Sequence, residues 1–347
     1  MKSFKILLIF IIIICLFASC KKDYEGPQGP TGPSGPTGNF NVVNPELYNK
    51  WEVVSGLDKT KYMIIKNDNV VFTLDSTVYG FKSFDKYLAF VTYNQLTSGE
   101  TTYNYSISND TLRLTNMNTN IILKKNINAP VETQWVTFVN VTDSIDSPAP
   151  NEDGREDIGF DGTNILWTAE SNSSTLYKIN PVTHTVTTLT LSASYYYGSV
   201  NYANSFIWIS NDSYINKVNP ATGAIVSSSP VISSATISSL ALIGQLMYFG
   251  NVSWYNSNWD IVSNTVTPLF NYGIKGMEYV NGFLYIISGK FIYKCDITPS
   301  FHIISTYYID YSSLRGNIGG ITHDGTNFWI TGKNQGTNIY RLLKLNL

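Results

Sequence analysis

Ile158-Gly159-Phe160-Asp161-Gly162-Thr163-Asn164-Ile165-Leu166-Trp167 returns near the end of the chain as Ile321-Thr322-His323-Asp324-Gly325-Thr326-Asn327-Phe328-Trp329. The tetrapeptide Asp-Gly-Thr-Asn is the same in both, and an apolar stretch ending in Trp follows each time. Asp-Gly and Asn-Gly readily adopt the positive φ angles of a tight hairpin turn. Each copy therefore predicts two short antiparallel strands, the second carrying a large ring. Three weaker copies lie between them: Asn204-Ser205-Phe206-Ile207-Trp208, Gly244-Gln245-Leu246-Met247-Tyr248 and Asn281-Gly282-Phe283-Leu284-Tyr285. The rings at 167, 208, 248, 285 and 329 are spaced by 41, 40, 37 and 44 residues. A period of this length is that of a four-stranded blade.

The rest of each unit agrees. A third strand is legible in Leu176-Tyr177-Lys178-Ile179, Ile215-Asn216-Lys217-Val218, Ile292-Tyr293-Lys294-Cys295 and Ile339-Tyr340-Arg341-Leu342. Turns such as Asn180-Pro181-Val182-Thr183 follow, where proline presets the backbone. The third unit is the most degenerate, with Trp259-Asp260-Ile261-Val262 in the third-strand place. The last unit lacks a fourth strand before Leu347. The stretch 134–141, with Trp135-Val136-Thr137-Phe138-Val139-Asn140-Val141, is expected to supply it and close the ring, leaving no free sheet edge. Residues 131–347 thus read as a five-bladed β-propeller. The repeat resembles that of bacterial NHL-type and streptogramin-lyase-like propellers, a likeness that implies fold and leaves function open.

Upstream, residues 40–129 hold short runs rich in β-branched and aromatic residues. Trp51-Glu52-Val53-Val54, Asn69 to Leu74 and Tyr87 to Tyr93 are examples, and Asn109-Asp110 suits a hairpin. They predict a small antiparallel meander or barrel. Trp51 to Ser55, together with the pattern closing at 105–114, resembles the small lipocalin-like domains of secreted bacterial proteins. The fold class expected for the chain is all-β.

The first 39 residues are of another kind. Lys2 and Lys5 precede an apolar run from Ile6 to Phe17, and Ala18-Ser19-Cys20 follows. A basic end, a short apolar stretch and small residues before a cut site mark a secretory signal over 1–19. The run is shorter than the roughly 20 residues of a membrane span. Leu16 to Cys20 resembles the lipobox of bacterial lipoproteins, which implies that Cys20 is acylated, with palmitate-type chains, and holds the protein to a bilayer. Lys21-Lys22-Asp23-Tyr24-Glu25 is similar to the surface-export signals of Bacteroidetes-type lipoproteins, implying an outer-membrane, surface-exposed protein. Residues 26–38 carry glycine at every third place, as in collagen-like tracts. With so few triplets, a stiff spacer of about 40 Å at 3.1 Å per residue is preferred to a trimer.

Only 14% of residues are charged and the net charge is −2, which argues against nucleic acid as a partner. Of three cysteines, Cys15 leaves with the signal, Cys20 carries lipid and Cys295 stands alone, so no disulfide staples the mature chain. Cys295 is expected to be a small buried apolar group. His184, His302 and His323 have no metal-ligand spacing around them, and no catalytic motif is present. Where the inner strands meet the axis, Glu156, Asp157, Glu278 and Asn317 are the candidate polar residues. Tyr196, Trp254, Tyr255 and Trp259 are candidate stacking rings for a glycan or protein ligand. The leading expectation is a non-enzymatic binding or scaffolding module without cofactor. The alternative is a propeller lyase or metal-dependent hydrolase with its site, and a calcium or other divalent ion, at the axis.

Overall fold

The computed structural model describes residues 43–148, 157–169, 173–195, 198–251, 253, 255–298, 300–334 and 339–347. The leader, Cys20 and the Gly-Pro tract lie outside them. Residues 44–347 form one compact unit, built of strands throughout.

The first part is a closed eight-stranded antiparallel barrel, Lys50–Ser55 through Asn120–Lys125. Each strand pairs with the next, and the last returns to the first with Val53 opposite Leu123. Closure removes both free edges. Asn109 and Asp110 take φ of 50° and 58°, the left-handed pair that a two-residue hairpin demands. Strand alternation sorts the side chains. Trp51, Val71, Leu96, Leu112, Leu114 and Leu123 are all but fully buried. The alternate residues Ile64, Phe72, Leu74 and Phe84 form a cluster with Val136. Trp135, Phe138, Phe291 and Tyr308 pack against that cluster.

This second apolar face joins the barrel to the propeller. Phe84 meets Tyr308 at 4.7 Å and Phe291 edge-on at 5.7 Å between ring centres. Phe81 is 1% exposed. It stacks on Tyr272 at 3.9 Å and meets Tyr293 edge-on at 4.9 Å. The Tyr293 hydroxyl donates to the Lys82 carbonyl at 3.0 Å. A chain break in topology near Ala129-Pro130 is therefore not a break in packing.

Five sheets make the propeller. The first four start from the inner strands Ile158–Phe160, Val200–Ala203, Ile237–Ile243 and Gly276–Val280, and each runs outward through three further strands in chain order. The fifth starts from Leu314–His323 and continues through Phe328–Asn334 and Tyr340–Leu345. Its outermost strand is Val141–Asp146, antiparallel to Tyr340–Leu345 with Ile145 opposite Leu342.

The closing strand thus shares little with the stretch expected from sequence. Trp135 ends the helical turn Glu132–Trp135, and its indole N–H donates to the carbonyls of Asp75 and Ser83 in the barrel. Thr137–Val139 then pairs parallel with the outer strand of the fourth blade, Val139 opposite Ile309. Only after Asn140 does the chain cross to the fifth. Asn140 is the one residue between the two strands, so the pattern alone does not show the switch.

The ring residues of the repeat hold the blades together in one direction of travel. Trp167 packs with Val200 and Ile207 of the second blade. Trp208 packs with Ile237, Leu240 and Met247 of the third, and Tyr248 with Met277 and Leu284 of the fourth. Tyr285 lies 4.5 Å from Phe328 of the fifth. Trp329 completes the circle against Ile158, Leu166 and Ile179 of the first. In four blades the lysine opposite the ring on the next strand caps it. Lys178, Lys217, Lys294 and Lys344 stand 4.9, 5.6, 6.0 and 5.7 Å from the centres of Trp167, Trp208, Tyr285 and Trp329, within cation–π range.

Replacing Trp329 by Ala should empty the contact between the last and first blades. Truncation of a buried Trp costs about 3–5 kcal/mol, so the urea midpoint should fall steeply. A midpoint equal to that of the parent would contradict closure through this ring.

Candidate functional site

At the axis, Asp157 stands at the head of the first inner strand and is 1% exposed. Its Oδ1 accepts from the Ile158 N–H at 3.0 Å and its Oδ2 from the Val200 N–H of the second blade at 3.3 Å. The Leu240 N–H of the third blade also bonds to it. A Cβ at Gly320, from the fifth blade, would collide with Asp157 Oδ1 and Ile158 N, and one at Gly276 would press on the Gly320 backbone. Glycine at both places is what lets the strands approach the carboxylate.

Glu278, on the fourth inner strand, accepts at Oε2 from the Thr322 hydroxyl of the fifth blade at 2.9 Å. The residue as a whole is half-buried, while its carboxyl sits in the crowded interior. Burial pushes its pKa up to about 8, against the pull of bonds from Thr322 and the Tyr279 N–H. Asp157 is likewise pushed well above the usual carboxylate range, chiefly by burial. Its backbone bonds oppose this, and the nearby Glu278 adds to it. Buried hydroxyls complete the ring. Thr168 donates to the Asp157 carbonyl, Ser210 to the Ile237 carbonyl, and the Gly320 N–H donates to Thr331.

The structure therefore brings two of the four axial candidates, Asp157 and Glu278, into one buried end of the propeller. Glu156 lies outside the described residues, as does the side chain of Asn317. Both placed carboxyls accept hydrogen bonds from neighbouring blades, which makes each a tie between inner strands. Among the described residues no three His, Cys, Asp or Glu side chains group closely enough to hold a metal ion.

The other sequence candidates fall away from the axis. Trp259 is 4% exposed and donates its indole N–H to Asn264 Oδ1 at 3.2 Å; this ring packs the third blade and has no face for a ligand. Tyr255 is 55% exposed. Tyr196 and Trp254 lie outside the described residues. Cys295 is fully buried, and burial pushes its thiol pKa upward. His184 sits in a turn at φ 58°. His302 is exposed on a strand. His323 accepts from the Gly325 N–H at Nδ1 and lies edge-on to Phe328.

A second place has the form of a binding site, and the sequence reading did not single it out. One end of the barrel interior holds a cavity of about 460 Å³. Its apolar wall includes Met63, Leu96, Leu114 and Ile121, and its polar wall Thr73, Asp75, Asp85, Tyr87 and Tyr103. The register sets Thr73 opposite Asp85 and Val71 opposite Tyr87, which brings these residues side by side on two adjoining strands, with Asp85 and Tyr87 remaining exposed. Burial raises the pKa of Asp75. Thr60 donates to the carboxyl and opposes the shift, Asp85 adds to it, and Lys59 offsets it least. The Tyr87 hydroxyl bonds to Asp85. The signal in the sequence was alternation: Val71-x-Thr73-x-Asp75 and Asp85-x-Tyr87 put polar groups on a face that is apolar elsewhere in the barrel.

No family model matches the chain, and no curated protein matches it. Among solved structures, a streptogramin B lyase is 12% identical with a TM-score of 0.34, over 88% of this chain and 96% of the other. A calcium-binding protein, regucalcin, from Agrobacterium tumefaciens is 11% identical with a TM-score of 0.41, over 61% and 97%. The PQQ-bound aldose sugar dehydrogenase of Streptomyces coelicolor is 10% identical with a TM-score of 0.40, over 60% and 97%. Likeness of this degree bears on neither activity nor ligand.

The axial carboxyls give a pH dependence. Glu278 gains its proton near pH 8 when folded, against an ordinary value of 4.5. Between those values the folded chain binds the extra proton, so stability falls as pH rises. The contribution is whole below about 4.5 and is lost as pH passes 8, and Asp157 acts in the same direction. Urea midpoints should decline from pH 5 to pH 9, and Glu278→Gln should flatten that decline. An unchanged slope in the variant would contradict the burial of this carboxyl.

Proposed function

We propose that the chain is a lipid-anchored binding module of the outer surface, in which the propeller is a rigid, non-catalytic platform and the barrel carries the ligand. The observation behind this reading is the contrast between the two interiors. At the axis, Asp157 and Glu278 are bonded to N–H and hydroxyl donors of neighbouring blades. In the barrel, polar groups border open space of about 460 Å³, a volume in the range of small-molecule sites. A glycan or protein partner could also use exposed rings such as Tyr255. Lipid at Cys20 and a stiff Gly-Pro spacer would hold both parts away from the bilayer.

The rival reading is a propeller enzyme, and the shifted pKa values of the axial pair favour it, since such shifts gather at catalytic sites. Untargeted mass spectrometry separates the two. Pools of cell-surface glycans and small metabolites are incubated with the parent and with an Asp157→Asn, Glu278→Gln variant. The binding reading expects no product in either. Turnover by the parent that is lost in the folded variant would overturn it. For the anchor, Cys20→Ala should move the protein from the membrane fraction to the soluble fraction and abolish fatty-acid labelling. Continued labelling would contradict the anchor.

A further inference from the structure

Between the barrel and the fourth blade lies a cleft of about 260 Å³, separate from both the axis and the barrel cavity. One wall is the outer strand of that blade, His302–Ile309, from Ile303 to Thr306. The other is the helical turn Glu132–Trp135 together with Gly80 and Lys82 of the barrel. Thr133, Gln134 and Thr137 border the cleft and are exposed, so it opens to solvent.

The strand wall is an unfinished sheet edge. Thr137–Val139 pairs parallel with Tyr307 to Ile309, and the pairing begins only at Thr137, because the chain before it turns away into the helical turn. Ile309 donates its N–H inward to the Lys290 carbonyl, and Asp310 donates outward to the Val139 carbonyl, both at 2.9 Å. Amides alternate between the two edges of such a strand, so Tyr308 and Thr306 also face outward. Tyr308 has Phe138 opposite it, while Thr306 has no residue opposite. Next comes Ile304, the extra residue of a bulge, 47% exposed. Beyond the ladders with Phe291–Asp296 and Thr137–Val139, residues 303–306 form no hydrogen bond. An open edge of this kind is a template for another strand. Here the bulge limits it to four residues, about 13 Å at 3.3 Å per residue. The cleft also holds one free charge. Lys82 Nζ stands 4.6 Å from the centre of the Trp135 ring, borders the cleft and forms no ion pair among the described residues.

We infer that this cleft is a strand-addition site for a partner protein: a short extended peptide lies parallel to His302–Ile309, in line with Thr137–Val139, and sets an acidic side chain on Lys82. The precedent is on the same edge, since Thr137–Val139 already uses it in that direction. Main-chain bonds to the edge supply affinity, and the side chain that reaches Lys82 supplies selectivity. The walls are mostly hydroxyl, amide and main-chain groups, as at Thr133, Gln134, Thr137 and Ser305; they suit a peptide backbone and offer little to a hydrocarbon. This site is independent of the barrel cavity, and its failure leaves the reading of the barrel untouched.

Calorimetric titration of the whole chain with synthetic hexapeptides tests this. The probes alternate Thr and Val, are blocked at both ends, and carry Glu at each position in turn. One placement should saturate a single site and protect amides of His302–Ile309 from hydrogen exchange. Of its two twins N-methylated at alternate residues, one should bind and the other should not, because a strand bonds its neighbour through every second residue. Ile304→Pro and Thr133→Trp should each abolish binding. Their melting temperatures should match the parent's, since proline is tolerated at edges and bulges and Thr133 is exposed. Lys82→Gln should weaken the Glu peptide roughly tenfold, to the level of the peptide without Glu, as the loss of a charge-assisted bond requires. Failure of every peptide to saturate, or binding that survives both Ile304→Pro and Thr133→Trp, would overturn the inference. So would equal binding by the two N-methylated twins. A dimer of the chain that forms without peptide and is broken by Ile304→Pro would overturn the partner, because a second copy would then fill the cleft.

Discussion

The circular packing of one large ring per blade onto the next blade is the constraint on which the architecture rests. Each four-stranded sheet has two apolar faces and cannot bury them alone. Trp167, Trp208, Tyr248, Tyr285 and Trp329 pass the burden forward, and Trp329 returns it to the first blade. The strand Val141–Asp146 adds the backbone hydrogen-bonded counterpart of this closure, because it comes from before the first blade and pairs with the last. Once the circle is shut, the inner strands are forced together at the axis. Glycines at 276 and 320 then become necessary, and buried carboxyls there find partners from neighbouring blades.

That crowding explains why the most suggestive residues by composition are the least available for chemistry. Acidic groups on a propeller axis invite a catalytic reading. Here Asp157 bonds to backbone N–H groups of two blades beyond its own strand, and Glu278 bonds to Thr322. Their raised pKa values follow from burial before any other cause. The barrel shows the reverse. It closes on itself through backbone pairing, Trp51, Leu112 and Leu123 fill part of its interior, and polar side chains border the space left open.

Much of the fold was legible because it is written in turns and rings. Asp161 accepts from the N–H groups of Thr163, Asn164 and Ile165, and Asp324 does the same for Thr326 and Asn327. A local motif of that kind repeats visibly in a sequence. The closing strand was misplaced because only Asn140 separates Thr137–Val139 from Val141–Asp146, while the switch of partner sheets depends on where Trp135 and Phe138 are held by the barrel. Trp259 was read as a stacking ring because it lies near a connection, beside Trp254 and Tyr255. Its indole is satisfied by Asn264, a partner five residues on, and spacing gives no hint of that. The barrel's acidic wall was missed for a plainer reason: Asp75 and Asp85 become neighbours only through strand pairing.

Hydrogen–deuterium exchange on the protein, with and without a pool of cell-surface glycans and small metabolites, tests most directly whether the barrel binds and the axis locks. The account predicts new protection in Val70–Ser76 and Lys82–Val91, with inner strands such as Gly276–Val280 already protected and unchanged. Protection that appears at the inner strands and leaves the barrel untouched would contradict it.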